Sequence, residues 1–272
     1  MSPLEKLMST PITIEMKSTI ADVVKMMLGE KIGRILITEN KKITSIITEK
    51  DLGIFLLKDK SDRTLQQIPL SELAKPILTI SQDTKSQEGA KIMLENNIGS
   101  LGVMSGEKDI EGIITKTDLV RDFAINHQNE KTVQEYMSAH YSWVDSDILL
   151  NEAVSKMSEN KISRVIVKNK KGIPVGIITF RDLFNLVISM GAQRDIIFPK
   201  NFESEQGLGK TLKVDEVMKN QIITVSSSDD MAKACQLLID NKINGVGVLS
   251  DKGDLIGILS KTDIIKAIAS LN

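Results

Sequence analysis

Four stretches of the 272-residue chain decide its reading: Ser45-Ile46-Ile47-Thr48-Glu49-Lys50-Asp51, Gly112-Ile113-Ile114-Thr115-Lys116-Thr117-Asp118, Gly176-Ile177-Ile178-Thr179-Phe180-Arg181-Asp182 and Gly257-Ile258-Leu259-Ser260-Lys261-Thr262-Asp263. Each runs small, apolar, apolar, Thr or Ser, two variable residues, Asp, and an apolar run follows. A second landmark lies upstream. Ile32, Ile98, Ile162 and Ile243 precede their Asp by 19, 20, 20 and 20 residues. The missing residue falls in the turn Glu39-Asn40-Lys41-Lys42, where a hairpin accommodates a length change. The chain is a fourfold internal repeat.

Local signals give each repeat its elements. Ser18-Thr19 stands before Ile20, Val23, Val24 and Met27, an i, i+3, i+4, i+7 stripe behind a capping residue, which predicts a helix. Arg34-Ile35-Leu36-Ile37-Thr38 and residues 43–47 read as strands joined by a polar turn. The Thr-x-x-Asp then opens a second helix. Each repeat thus reads strand, helix, strand, strand, helix, an α+β (mixed α/β) fold, over about 4–58, 68–125, 132–190 and 213–271.

A higher order is visible. Asp51 to Asp182 is 131 residues and Arg34 to Arg164 is 130. Repeats one and three carry that Arg, where two and four have Gly99-Ser100 and Asn244-Gly245. A single repeat of about 55–60 residues buries little core alone, so pairing is expected. The expected halves are 1–128 and 129–272, with the boundary near 126–131. Residues 190–213, holding Gly191, Pro199, Gly207 and Gly209, read as an excursion within the second half.

Composition excludes several classes. Lys+Arg is 35 and Asp+Glu is 36, so the net charge is −1, and a nucleic-acid partner is disfavoured. Aromatics at 3% argue against base-stacking platforms. There is no run of 18 apolar residues and no leader-like start, so neither a membrane nor export is expected, and the cytoplasm is. The one cysteine, Cys235, sits in a helical pattern and reads as core. His127 and His140 are isolated, so no metal is expected. No nucleophile–base pair and no Gly-rich phosphate loop is present, so the chain does not read as an enzyme.

The motif itself has two readings. An ionised Asp accepts hydrogen bonds only, so Asp51, Asp118, Asp182 and Asp263 suit the two hydroxyls of a ribose. The hydroxyls of Thr48, Thr115, Thr179 and Ser260, with a helix N-terminus beside them, suit a phosphate or sugar oxygen. The same Ser/Thr-x-x-Asp is also a capping box. The cations divide likewise: Arg34, Arg164, Lys50 and Arg181 suit phosphate or are solvated surface charges. Thr117 and Thr262 are further donors or ordinary helix-start residues.

The repeated unit with this ending resembles the CBS (cystathionine β-synthase) domain, two of which form a Bateman module. The four-repeat chain is similar in architecture to the gamma subunit of AMP-activated protein kinase. The resemblance implies repeats paired about a pseudo-twofold axis, with clefts that take adenosine derivatives. AMP, ADP or ATP would be a regulatory ligand, with no cofactor required. S-adenosylmethionine or methylthioadenosine, or empty clefts in an interaction scaffold, are the alternatives. By the same resemblance Ile46, Ile113, Ile177 and Ile258 face the base. The opposite walls come from Ile77 for Asp51, Ile12 for Asp118, Ile223 for Asp182 and Trp143 for Asp263. Arg34 and Arg164 match a phosphate-binding Arg of gamma-like members. The chain departs from that pattern in lacking this Arg in repeats two and four. It also has Ser45 for Gly, and Leu36, Gly102, Ile166 and Gly247 for a common Pro. The implied function is a non-enzymatic sensor that passes a conformational change to a protein partner of unidentified kind, as a monomeric disc or a homodimer.

Overall fold

The computed structural model describes residues 4–59, 61, 63–106, 109–191 and 208–271. Most of the expected excursion, 192–207, lies outside the described residues. Repeat one contains β1 (Thr13–Glu15), α1 (Ile20–Gly29), β2 (Arg34–Glu39), β3 (Lys42–Thr48) and α2 (Glu49–Lys58), followed by β4 (Lys75–Pro76). Repeat two contains β5 (Thr79–Ser81), α3 (Ser86–Glu95), β6 (Ser100–Ser105), β7 (Asp109–Thr115) and α4 (Lys116–Asn126), with a short α5 (Val133–Tyr136) after it. Repeat three contains β8 (Trp143–Asp145), α6 (Leu150–Glu159), β9 (Arg164–Lys168), β10 (Pro174–Thr179) and α7 (Phe180–Gly191), then α8 (Leu208–Thr211). Repeat four contains β11 (Thr224–Ser226), α9 (Met231–Asp240), β12 (Gly245–Leu249), β13 (Leu255–Ser260) and α10 (Lys261–Ala269). The expected order of strand, helix, strand, strand, helix occurs four times, and the fold is mixed α/β.

In every repeat the central strand runs parallel to the first strand and antiparallel to the third. The apolar stripe of α1 is buried as its spacing requires: Ile20, Val23, Val24 and Met27 are at most 4% exposed. The landmark isoleucines have a local cause. Lys31, Asn97, Lys161 and Lys242 adopt left-handed φ of 55°, 51°, 54° and 52°, which stops the first helix of each repeat. The next residue then donates back into the helix: Ile32 to Met27, Ile98 to Met93, Ile162 to Met157 and Ile243 to Leu238, each at 3.0 Å. This is the Schellman arrangement, whose last residue is apolar because it packs on the helix it terminates.

The turn that is one residue short in repeat one is also explained. Asn40 and Lys41 are both left-handed, at φ 50° and 64°, so two residues close the β2–β3 hairpin. Repeats three and four use longer turns that place Gly172 and Gly253 at φ 75° and 85°.

The chain forms two compact units. Unit 1 is Met1–Pro11, Ile77–Tyr141 and Ile223–Asn272, which holds repeats two and four. Unit 2 is Ile12–Pro76 and Ser142–Ile222, which holds repeats one and three. Each unit therefore draws on both sequence halves, 1–128 and 129–272. Unit 1 has one continuous core through both repeats, including Leu4, Leu101, Phe123, Cys235, Leu259 and Ile264. Unit 2 has two cores, one around Ile20, Ile47 and Leu52 and one around Leu150, Val165 and Ile178. Cys235 is fully buried, and burial followed by the charge of Asp230 pushes its thiol pKa up, consistent with an inert core residue.

Candidate functional site

The antiparallel register places each motif beside the start of its central strand. Thr48 faces Arg34, Thr115 faces Ser100, Thr179 faces Arg164 and Ser260 faces Gly245. The two arginines thus stand directly across the hairpin from their own motifs, both in unit 2.

The capping arrangement forms in all four motifs. The backbone N–H of Thr48, Thr115, Thr179 and Ser260 donates to Oδ2 of its Asp at 3.0, 2.9, 2.9 and 2.9 Å. The hydroxyl of the same residue donates to the same oxygen at 2.5, 2.7, 2.6 and 2.6 Å. It also accepts from the Asp backbone N–H at 3.3 to 3.4 Å. Two donors fill the lone pairs of Oδ2. Ligand chemistry at these carboxylates therefore falls to Oδ1.

Oδ1 faces a cation each time. It pairs with Lys75 at Asp51, with Arg121 at 2.9 Å at Asp118, with Lys219 at 3.4 Å at Asp182 and with Lys266 at 2.7 Å at Asp263. Ser138 Oγ adds a donor to Asp263 Oδ1 at 3.2 Å. The Asp side chains are only 5–13% exposed, while their cations are 50–63% exposed. Such half-exposed pairs contribute about 0–1 kcal/mol. A cation of this kind can move into water at little cost, so a hydroxyl group can take its place at Oδ1.

Backbone pairing carries two of these lysines and Ser138 to the motif. Lys75 lies opposite Ile46, Ser9 opposite Ile113, Lys219 opposite Ile177 and Ser138 opposite Ile258. The chain approaches so closely that a Cβ on Gly176 would meet the Lys219 carbonyl oxygen at 2.6 Å, and one on Gly257 the Ser138 carbonyl oxygen at 2.8 Å. That contact explains the motif glycine. Repeat one tolerates Ser45 because it faces Pro76 in a regular β3–β4 ladder.

The other expected residues fall as follows. Ile46, Ile177 and Ile258 are half-buried and Ile113 is buried, while the next residue, Ile47, Ile114, Ile178 or Leu259, fills the core. Arg181 does not stand alone: its Nε and Nη2 each reach Glu49 Oε2 at 3.0 Å. Lys50 is half-buried at the second position of α2. Thr117 and Thr262 accept from Lys261 and Lys116 at 2.9 and 3.0 Å. Ile77 and Ile223 are half-buried, and Ile12 and Trp143 are exposed. Each of these four belongs to the other unit than the Asp it was assigned to. The Trp143 ring lies 4.7 Å from Lys168 Nζ and 5.4 Å from Lys156 Nζ.

Sequence reasoning missed Lys75, Lys219, Ser138, Arg121, Lys266, Glu49, Lys116 and Lys261. A signal existed for two of them: Met8-Ser9, Met137-Ser138 and Met218-Lys219 recur ahead of the first strands. Among the described residues no group of His, Cys, Asp and Glu converges as a metal site would, and no helix is long and apolar enough to cross a membrane.

Comparison with known proteins agrees with the repeats. The CBS domain model matches residues 4–56, 70–124, 133–189 and 214–270. Protein MJ1225 of Methanocaldococcus jannaschii is 22% identical over 242 residues, covering 85% of this chain and 84% of that protein. Its crystal structure, described as that of a proposed archaeal homologue of g-AMPK, superposes with a TM-score of 0.81 at 21% identity over 98% of this chain and 100% of that one. A conserved protein of Pyrococcus horikoshii superposes with a TM-score of 0.67 at 18% identity over 97% and 99%. L-aspartate semialdehyde sulfurtransferase of M. jannaschii is 30% identical over 162 residues, which are 60% of this chain and 28% of that enzyme. The chain belongs to the CBS-domain family of regulatory proteins and carries four CBS domains.

Proposed function

We propose that the chain is a non-enzymatic sensor in the cytoplasm that binds an adenine ribonucleotide, AMP, ADP or ATP, at its Thr/Ser-x-x-Asp motifs. A partner protein then reads the resulting change through its differential affinity for the two states. One observation carries the reading. Each motif Asp, buried at Asp182 and Asp263 and partly buried at Asp51 and Asp118, is fixed through Oδ2 and offers Oδ1 to a half-exposed, exchangeable cation. A ribose hydroxyl at Oδ1 keeps the helix cap intact. Arg34 and Arg164, across the hairpin from Thr48 and Thr179, and Lys50 and Arg181 are the phosphate partners on this reading. The first isoleucine of each motif, half-buried at Ile46, Ile177 and Ile258 and buried at Ile113, meets the base on this reading. Repeats one and two, and three and four, are the functional pairs within 1–128 and 129–272.

A second reading applies to unit 1. Ser100 and Gly245 stand where unit 2 has arginines, so a ligand without phosphate, S-adenosylmethionine or methylthioadenosine, suits Asp118 and Asp263.

The test is calorimetry and thermal unfolding with AMP, ADP, ATP, 2′-deoxyAMP, S-adenosylmethionine and methylthioadenosine. At 100 times Kd one site adds about 2.7 kcal/mol, a rise in Tm of roughly 5–10 °C. AMP should raise Tm, 2′-deoxyAMP should do so far less, and Asp-to-Ala changes at all four motifs should abolish the rise. A chain that responds to no adenosine compound is an interaction scaffold whose Asp residues only cap helices.

A further inference from the structure

Oδ1 of every motif Asp meets a cation, but the two units take that cation from different parts of the chain. In unit 1 it comes from the motif's own helix, three residues after the Asp: Arg121 on Asp118 and Lys266 on Asp263. In unit 2 the residues three after the Asp are Ile54 and Asn185, which carry no charge. The cation there comes from the segment lying along the motif strand: Lys75 on Asp51, and Lys219 on Asp182 at 3.4 Å. The corresponding segment of unit 1 has serine at that place, Ser9 and Ser138.

The backbone fixes where the two lysines start. Lys75 faces Ile46 in the β3–β4 ladder. Lys219 donates its N–H to the Ile177 carbonyl at 2.9 Å, and its own carbonyl accepts from the Ile177 N–H at 3.0 Å. Ser9 with Ile113, and Ser138 with Ile258, exchange the same two bonds at 2.9 to 3.0 Å. The Cα of each lysine therefore stays beside its motif even when the ammonium leaves the Asp. The lysine side chains are 63% and 55% exposed, so their flexible four-carbon stems have room to swing.

A ribose hydroxyl that takes Oδ1 in unit 2 must displace this ammonium. A neutral ligand breaks the ion pair and gives the ammonium nothing in exchange. A ligand with a phosphate offers the displaced ammonium, still tethered within one side-chain length of the motif, a new anion to bond. At the same place in unit 1, Ser138 Oγ donates to Asp263 Oδ1 at 3.2 Å, a neutral group indifferent to the charge of a ligand. We infer that Lys75 and Lys219 are specificity-determining residues that make the two motifs of unit 2 select anionic adenosine ligands over neutral ones. The inference rests on the ribonucleotide reading above and adds the ligand class of two of its four sites.

The test is calorimetry of the full chain with AMP and with adenosine. Wild type is compared with Lys75→Ser/Lys219→Ser, which installs the serines of unit 1, and with Lys75→Arg/Lys219→Arg, which keeps the charge. Both positions are half-exposed and the motifs of unit 1 are untouched, so altered binding belongs to unit 2. In the serine variant adenosine should bind about 2–5-fold tighter, because its competitor is gone. The preference for AMP over adenosine should narrow about 10-fold. The arginine variant should keep the wild-type preference. An unchanged preference or a weaker adenosine affinity in the serine variant overturns the inference and leaves the nucleotide reading standing. So does an equal narrowing in the arginine variant, since charge is then not what selects. If neither AMP nor adenosine binds to wild type or to the serine variant, both readings fall together.

Discussion

Unit 1 and unit 2 are built from the same repeat yet hold together differently. In unit 1 the buried residues of repeats two and four form one cluster, with Phe123 and Ile264 in the same core. In unit 2 repeats one and three keep separate cores, and residues such as Glu49 and Arg181, or Gly53 and Phe180, meet between them. The motif cations differ in the same way. Unit 1 supplies them from the motif's own helix, Arg121 and Lys266 three residues after the Asp. Unit 2 takes them from distant chain, Lys75 and Lys219. One repeat sequence therefore supports both a fused unit and a jointed one. The difference lies in which residues occupy the helix starts and the connecting segments.

The largest expected effects test that division. Phe123→Ala removes a fully buried ring from the shared core and should cost about 3–5 kcal/mol in urea unfolding. Hydrogen exchange should show repeats two and four losing protection together. Leu52→Ala, also fully buried, should cost about 2–5 kcal/mol. Its loss of protection should stay in repeat one. Equal loss in repeat three would show that unit 2 is as fused as unit 1. Next in size is Gly176→Ala, whose Cβ would meet the Lys219 carbonyl oxygen at 2.6 Å. Thermal unfolding should register a cost of about 1–3 kcal/mol. Gly112→Ala meets only the flexible side chain of Met8, so its cost should be smaller. Equal costs would remove the backbone explanation of the motif glycine.

What the sequence revealed follows the same line between local and distant. The helix stripe of Ile20 to Met27, the hairpin turn at Asn40 and Lys41, and the landmark isoleucines depend on neighbours within a few residues, and all were legible. The caps were legible as one of two readings. Lys75 was not, because it stands in no recurring string and its distance from the motif carries no period, whereas Lys219 could have been found from the recurrence of Met8-Ser9, Met137-Ser138 and Met218-Lys219. Arg121 and Lys266 could have been found as i, i+3 partners of the Asp. The Lys116–Thr262 and Lys261–Thr117 exchange joins residues 146 and 144 positions apart, and only the packing of repeat two on repeat four reveals it.

Smaller effects sharpen the account of the motif. Thr179→Ala and Ser260→Ala each remove a hydroxyl that bonds the Asp in both directions, and each should cost about 1 kcal/mol. Lys219→Ala and Arg121→Ala break half-exposed pairs and should cost about 0–1 kcal/mol, less in high salt. A larger loss for the cations than for the hydroxyls would mean that charge, not the cap, holds these helix starts.

The smallest effect is a pH dependence at the start of α1. Asp22 Oδ2 accepts from the Thr19 backbone N–H at 2.9 Å and the Thr19 hydroxyl at 2.8 Å. The backbone bond first, then the hydroxyl, favours the ionised form and holds the Asp22 pKa below its ordinary value, while partial desolvation opposes. A pKa lowered by folding means that the folded state binds fewer protons. The stabilisation is therefore present above the unfolded pKa and is lost as pH falls through the lower folded one. Thermal unfolding at about pH 5 and about pH 3 should show wild type losing more Tm than Asp22→Asn, which has no carboxylate to titrate. Because repeat one holds its own core, hydrogen exchange should confine the acid effect to α1 and its contacts. An effect that spreads into repeat three would tie the two cores of unit 2 more tightly than their separation implies.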